Sequence, residues 1–282
     1  RYCGRTALIK AHLRIVKQLT EEPHRPSIAG STLFVMAATL GSTMLGFGRE
    51  VINARYYGTR WEMDTFLAAA TIPTILFGVF NGALLSALVP TFSEYITNGR
   101  EEEAWSLAST IINLLAIVLT VCAVLGYFLA PWYVPIIAHG FPAPQMGVAI
   151  HMTRWLIPSI VAVSLSGVLS AMLNAYHRFR AASFVGIIVN VVTIACVVTL
   201  NAKYGIFALV FGTALGLVAQ MVVQVPAFLK IGRYRFTLDL HHPGLHKMWA
   251  LLGPIIVGSA AGQLALFFDR FFASTLPPGY MA

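Results

Sequence analysis

Two adjacent charges, Arg49 and Glu50, stand where a long apolar stretch ends, in GFGREVINARYYGTRWEMDTF (46–66). Arg55 and Arg60 follow closely, opposed by Glu62 and Asp64. A guanidinium is planar and permanently charged, and its fork of donors fits the oxygens of a phosphate-bearing ligand. Beside an apolar helix the Arg-Glu pair has two readings. It is an interfacial salt bridge whose side chains snorkel to water, or it is the charged wall of a cavity. Gly41, Gly46 and Gly48 just precede it. They are expected to loosen the helix, as in the broken helices that line sites within membranes, and this favours the cavity.

A second adjacent pair, Asp269–Arg270, lies near the end of the last apolar stretch. Ionisable residues inside such a segment are candidate site residues by default, although mutual neutralisation at an interface is the plainer reading. Neighbours on a helix point in different directions, so each is expected to need its own partner. Arg154 lies six residues into an apolar run, where it either snorkels outward or faces a cavity. Asn113, Asn174, Asn190, Gln220, Gln224 and Gln263 are expected to hydrogen-bond between helices, and the small residues of 159–171 to allow close helix packing. His241, His242 and His246 have a ligand-like spacing but no supporting carboxylate-and-cysteine set, so no metal is expected. Cys3, Cys122 and Cys196 show no redox spacing. No phosphate loop, protease zinc motif or nucleophile elbow is present. The residues support binding and not chemistry on covalent bonds.

The elements that position these groups follow from composition. Of 282 residues, 57% are hydrophobic and 11% charged, against about 25% charged in a soluble domain. Uncharged runs cover 26–48, 65–93, 104–153, 155–176, 181–202, 204–229 and 248–268. Each reaches the roughly 20 residues that span a bilayer as a helix. A porin-type barrel would instead show short alternating segments. The expected fold is therefore all-α and polytopic, with seven spans near 28–48, 65–93, 105–130, 148–172, 182–200, 204–229 and 248–272. Pro131, Pro135, Pro142 and Pro144 are expected to break the run 104–153. Residues 1–27 form a basic tail without a signal peptide, and 230–247 a connector flanked by the histidines. The first residue is Arg1 and not Met, and the last follows a Leu-Pro-Pro-Gly turn, so a longer chain is expected on both sides.

The net charge of +8 reads as topology rather than as nucleic-acid binding. Arg1, Arg5, Lys10, Arg14, Lys17 and Arg25 crowd the tail, and Arg100, Arg178, Arg180, Lys230, Arg233, Arg235 and Lys247 fall in loops on the same side. Arg49, Arg55, Arg60 and Lys203 fall on the other. The tail is thus expected in the cytoplasm. Glu101–Glu103 oppose this in sign, but acidic residues weigh little in orientation.

The chain resembles the lipid II flippase family (MurJ/MviN), within the multidrug/oligosaccharidyl-lipid/polysaccharide exporter superfamily. The resemblance rests on STMLGFGREVINARYYG from Ser42, IPTILFGVFNGALLSALVPTFSEY at 72–95, LSAMLNAYHRFRAASFVGIIVNVV at 169–192 and LGPIIVGSAAGQLALFFDRFFASTLPPG at 252–279. It implies a two-lobed, inverted-V fold of fourteen helices, of which this chain supplies the six-helix N-lobe (28–229), the connector and a seventh helix (248–282), the rest of the C-lobe being missing. It implies flipping of a lipid-linked peptidoglycan precursor across the bacterial cytoplasmic membrane by alternating access, with no cofactor. Membrane potential or an ion gradient would drive it, with Asp269 and Glu50 as candidates for ion coupling. Partners would be the lipid-linked oligosaccharide, membrane lipid and cell-wall synthesis proteins, and no nucleic acid.

By the same resemblance the family's GF-x-R-D arginine falls on Arg49, its acid on Glu50, its conserved serine on Ser42, and the acid opening its second helix on Asp64. Two family arginines do not carry over. Thr43 stands beside the serine, and Pro73–Gly78 lacks the arginine that follows the family's proline. The head-group and cavity candidates are Arg49, Glu50, Arg55, Ser42, Asp64, Arg154 and Arg270. The missing positives leave room for another lipid-linked polysaccharide unit as substrate. A cation-coupled exporter of amphiphilic drugs would want an acidic or aromatic pocket, which Arg49 and Arg55 oppose. A non-transporting membrane scaffold is the third alternative.

Overall fold

A computed structural model of the chain describes residues 28–231 and 234–277. The basic tail 1–27, Gly232 and Arg233 in the connector, and 278–282 lie outside the described residues. The fold is all-α and multi-spanning. Helix α1 covers Ile28–Tyr57, α2 Trp61–Thr97, α3 Glu101–Ile137, α4 Ala143–Leu156, α5 Ser159–Ala175, the short α6 Phe179–Ser183, α7 Val185–Tyr204, α8 Phe207–Leu229 and α9 Pro243–Ala273. Among the described residues five segments are long and apolar enough to cross a membrane: Glu101–Ile137, Ala143–Ala175, Phe179–Tyr204, Phe207–Leu229 and Pro243–Ala273. The first two expected spans are α1 and α2, of 30 and 37 residues. At 1.5 Å per residue α2 is about 55 Å long, well beyond the roughly 30 Å of a hydrocarbon core.

Helix ends follow local chemistry. Glu62 and Asp64 occupy the first turn of α2, and Glu101, Glu102 and Glu103 that of α3. There they complement the positive end of the helix dipole, which accounts for acidic residues on a side otherwise rich in cations. Gly58 and Gly99 follow α1 and α2 at φ 59° and 72°, the left-handed conformation in which a Cβ would be strained.

Several expected boundaries are corrected. Pro131 and Pro135 do not break the third span, because α3 runs through both to Ile137. Pro131 has no N–H for the Tyr127 carbonyl one turn earlier, but Arg154 Nε donates to that oxygen at 3.2 Å. The Tyr133 hydroxyl donates to the Gly126 carbonyl at 3.2 Å. A neighbouring donor thus replaces the lost backbone bond, as proline within a membrane helix requires. The break comes at Pro142, which caps α4. The fourth span is not one helix but two, α4 and α5, divided at Pro158. The seventh begins earlier than expected, since 243–247 already belongs to α9. His242 caps it, its Nδ1 accepting from Gly244 N at 3.1 Å. Finally, α1 is continuous through Gly41, Gly46 and Gly48, so these glycines do not open it. Gly46 lies against Asn190 of α7 and Gly41 against Ile187, and their role is close approach.

The α4–α5 segment is the centre of the bundle, with 78% of its most apolar stretch buried against 6% for α9. Ser159, Ala162, Ser164, Ser166 and Ala171 of α5 are buried, as the small-residue run led one to expect. Helices α7 and α8 form a tight hairpin. Gly212 and Gly216 of α8 face Thr193 and Val189 of α7, and a Cβ on Gly216 would lie 3.0 Å from the Val189 carbonyl oxygen. Such contact is the main source of helix association in lipid. Around one end of the bundle, Phe92, Trp105, Met172 and Phe228 join four helices in one core. Trp105 Nε1 donates to the Tyr176 hydroxyl at 2.8 Å, which in turn donates to Glu101 at 2.8 Å.

Over 234–239 the connector has no regular secondary structure and is strapped to α3. Asn113, expected to bond another helix, instead accepts from the Tyr234 hydroxyl at 2.6 Å and donates to the Thr237 carbonyl at 2.9 Å. Ser109 and Thr110 accept from the backbone N–H groups of Arg235 and Asp239. Of the other amides, Asn190 donates to the Ser42 carbonyl of α1 at 3.1 Å. Gln224 accepts from Ser170 of α5 at 2.8 Å and donates to Ser166.

Candidate functional site

Five parts of the bundle converge on a cavity of about 330 Å³. Helix α1 supplies Arg49; α2 supplies Pro73, Thr74 and Phe77; the α4–α5 junction supplies Leu156, Ser159 and Ile160; α7 supplies Gly186 and Asn190; α8 supplies Thr213 and Gln220. The backbone is irregular on two sides of it. Pro73 leaves the Ala69 carbonyl without its helical donor, and the Thr153 hydroxyl of α4 approaches that oxygen at 3.4 Å while bonding the Ala149 carbonyl at 2.8 Å. Pro158 parts α4 from α5, and the Ser159 hydroxyl donates to the Leu156 carbonyl at 2.6 Å. Broken or kinked helices at membrane depth are tolerated where they line a cavity or are buried in protein.

Arg49 is the one charged residue in the lining among the described residues. Its Nε and Nη2 both donate to Glu50 Oε1, at 3.1 and 2.6 Å. Asn53 Nδ2 reaches the other carboxylate oxygen at 3.5 Å. Glu50 therefore holds the guanidinium on one edge, and Nη1 makes no hydrogen bond among the described residues. Asn53 sits one turn on, and its Oδ1 is buried with no hydrogen-bond partner among the described residues. Gln220 is only 4% exposed and lines the cavity without a side-chain hydrogen bond among the described residues. The wall thus offers one cation, unengaged amide groups from Gln220, the hydroxyls of Thr74, Thr213 and Ser159, and an apolar remainder. That set suits a ligand with an anionic, oxygen-rich part. Among the described residues no group of His, Cys, Asp and Glu could hold a metal ion.

The other sequence candidates are dispersed. Ser42 lies at the α1–α7 seam, where a Cβ on Gly186 would collide with its hydroxyl. Arg55 is exposed in the last turn of α1, and Asp64 is buried in the first turn of α2. Arg154 is taken up by the Tyr127 carbonyl, with its guanidinium 5.2 Å from the centre of the Tyr127 ring. Asp269 is exposed and Arg270 half-buried at the far end of α9. Sequence reasoning missed Thr74, Thr213 and Ser159 as lining residues. It read Gln220 as a helix-to-helix bond, and only the turn of α8 about its axis tells the two roles apart. Phe77, where the family's arginine after the proline was expected, does line the cavity, so an aromatic ring occupies that place.

Comparison with known proteins bears on the fold and the family. Residues 53–282 match the family described as lipid II flippase MurJ. The chain is 30% identical over 257 residues to the lipid II flippase MurJ of Burkholderia cenocepacia, covering 88% of this chain and 50% of that protein. It is 30% identical over 262 residues to the probable lipid II flippase MurJ of Vibrio cholerae, covering 88% and 50%. The chain thus spans about half the length of these relatives. A solved structure of lipid II flippase MurJ in an inward-closed conformation superposes with a TM-score of 0.73 at 25% identity, over 88% of this chain and 52% of that one. A transporter of the same superfamily from Pyrococcus furiosus shares the fold at a TM-score of 0.66 and 12% identity, over 86% and 54%. Because the family match covers most of this chain, the chain belongs to the lipid II flippase MurJ family.

Proposed function

We propose that the chain is the N-terminal lobe of a transporter that flips a lipid-linked peptidoglycan precursor across the bacterial cytoplasmic membrane by alternating access. The observation that carries this reading is Arg49, the one charge that the described residues bring to a cavity walled by five parts of the bundle. The pyrophosphate of a polyprenyl-linked sugar would meet the guanidinium there, while its tail stays in lipid. No bond is made or broken. Residues 28–229 would form the lobe, 230–247 the connector and 248–282 the first helix of the second lobe, with the tail in the cytoplasm. A cysteine at the exposed Ala143 would then be labelled from outside intact cells, in a background lacking Cys3, Cys122 and Cys196; labelling only after permeabilisation would reverse the orientation.

The testing experiment is complementation of a flippase-deficient strain by the full-length protein. Arg49→Ala abolishes rescue at matched membrane expression, and Arg49→Lys recovers little, because a point charge does not reproduce the planar fork. Normal rescue by Arg49→Ala removes the residue from the site. A second reading, another lipid-linked polysaccharide unit as substrate, is favoured by Phe77 at the expected arginine position, since fewer cations line the cavity. Flipping assays with both lipid-linked substrates separate the two.

A further inference from the structure

A second cavity, of about 600 Å³, opens at the end of the bundle where α1 begins and α8 finishes. It shares no lining residue with the Arg49 site. Its α1 wall is Phe34, fifteen positions before Arg49, which along a helix is about 22 Å. The α5–α6 turn supplies His177 and Arg178, α6 supplies Arg180, and the end of α8 supplies Val223, Pro226, Ala227 and Lys230. The turn is sharp, with His177 in the left-handed region at φ 56°, where a histidine is uncommon.

Three permanent cations therefore share one concave surface. Among the described residues no carboxylate lines it and none of the three forms an ion pair. Arg178, Arg180 and Lys230 are exposed. Such mutual repulsion is relieved by a bound anion. The rest of the wall is apolar, and the Arg180 guanidinium is drawn over the Phe34 ring at 5.4 Å, so charge and hydrocarbon meet at one edge. Free phosphate would use the cations alone. An amphiphile with an anionic head uses both. Basic pockets between membrane helices on the cytoplasmic side hold lipid head groups in this manner.

We propose that this cleft binds the phosphate head group of an anionic bilayer phospholipid, with the acyl chains lying along Phe34, Val223 and Pro226. The inference needs only the membrane-spanning fold and stands apart from the transport role given to Arg49. Held there, the lipid would tie the α5–α6 turn to the ends of α1 and α8.

The test uses the purified full-length protein and native mass spectrometry of bound lipid. Phosphatidylglycerol, phosphatidylcholine and undecaprenyl pyrophosphate are the probes, and photoreactive phosphatidylglycerol maps the site. Each surface cation contributes roughly fivefold in affinity, so Arg178→Gln/Arg180→Gln/Lys230→Gln should weaken phosphatidylglycerol binding on the order of 100-fold. The charge-preserving Arg178→Lys/Arg180→Lys protein should retain most of it, as should Arg49→Ala. Cross-links should fall in peptides containing 177–181 or 223–230. If the triple variant fails to fold, Lys230→Gln and Arg178→Gln singly should each show the fivefold loss. Equal binding of phosphatidylcholine, unchanged binding by the variants, cross-links elsewhere, or preferential capture of undecaprenyl pyrophosphate in the cleft would each overturn the proposal.

Discussion

Arg154 offers the sharpest test of how this bundle is held together, because its two readings predict opposite phenotypes. As a cavity residue it would be needed for transport. As the donor to the carbonyl that Pro131 leaves free, it is needed for stability, and its importance should vanish when the proline does. The single change Arg154→Met keeps an apolar stem and removes the Nε bond to the Tyr127 oxygen at 3.2 Å and the contact with the Tyr127 ring at 5.2 Å. Interhelical hydrogen bonds in membrane proteins average about 0.6 kcal/mol and reach about 1.7. A cation over an exposed aromatic ring adds about 0.5–1 kcal/mol. Both partners are only partly buried, so a cost of about 1–2 kcal/mol is expected. Pro131→Ala restores an N–H that can bond Tyr127 within α3. In that background Arg154→Met should lose less by about 1 kcal/mol, the part of its role that answers the proline. The assay is a double-mutant cycle of reversible unfolding for the full-length protein in detergent, alongside complementation. Strict additivity of the two changes would refute the argument, as would loss of rescue by stably folded Arg154→Met.

Two further outcomes follow from local geometry. Gly216→Val should cost about 1–3 kcal/mol and shift the unfolding midpoint, since its Cβ meets the Val189 backbone and the α7–α8 hairpin must part to admit it; an unchanged midpoint would mean that the helices are not in contact. The Tyr176 hydroxyl is pushed up to about 12, chiefly by burial and then by its hydrogen bond to Glu101; its stabilising contribution is complete below about pH 10, is lost as pH rises through about 12, and should be absent from the alkaline unfolding profile of Tyr176→Phe.

The helical class and most of the span order were legible because apolar runs of bilayer length leave few alternatives. What failed was local. Proline content marked a break somewhere in 104–153, but not which proline would be bridged. The donor that compensates for Pro131 lies 27 positions beyond the Tyr127 carbonyl it serves, on a helix whose placement only packing decides. Gly41 and Gly46 were read as loosening α1 because glycine also serves that purpose; against Ile187 and Asn190 their small size is what counts. Arg49, which lines the cavity, stands out in the sequence because a charge at the edge of an apolar run is conspicuous. Thr74 and Ser159 were not, because a single hydroxyl in a membrane helix ordinarily bonds its own backbone and carries no separate mark in the sequence. Asn113 shows the same limit from the other direction: its polarity predicted a partner, but not that the partner would be the connector.

On the proposed function, Glu50 would keep a site whose described lining holds one arginine from becoming a trap. Two of the three nitrogens of the Arg49 guanidinium are engaged by one carboxylate oxygen, so much of its charge is already compensated by Glu50. On the proposed function, an arriving pyrophosphate would have to use Nη1 or compete for the other two, and Glu50 would be placed to reclaim them when the head group left. Tight binding helps a carrier only if release remains fast. Glu50→Gln keeps the size of the side chain and one acceptor oxygen but removes the competing charge. The Arg49–Glu50 pair is about one-third to one-half exposed, so screening limits the effect, and a tightening of about three- to fivefold, or roughly 1 kcal/mol, is expected for a polyprenyl-pyrophosphate ligand. Flipping by the same protein should slow at saturating substrate, because release becomes the limiting step. Both readouts belong together, measured on reconstituted full-length protein by ligand titration and by a flipping assay. Weaker binding by Glu50→Gln would mean that the carboxylate orients the guanidinium for the ligand instead of competing with it. Tighter binding with undiminished flipping would mean that release at Arg49 does not set the rate.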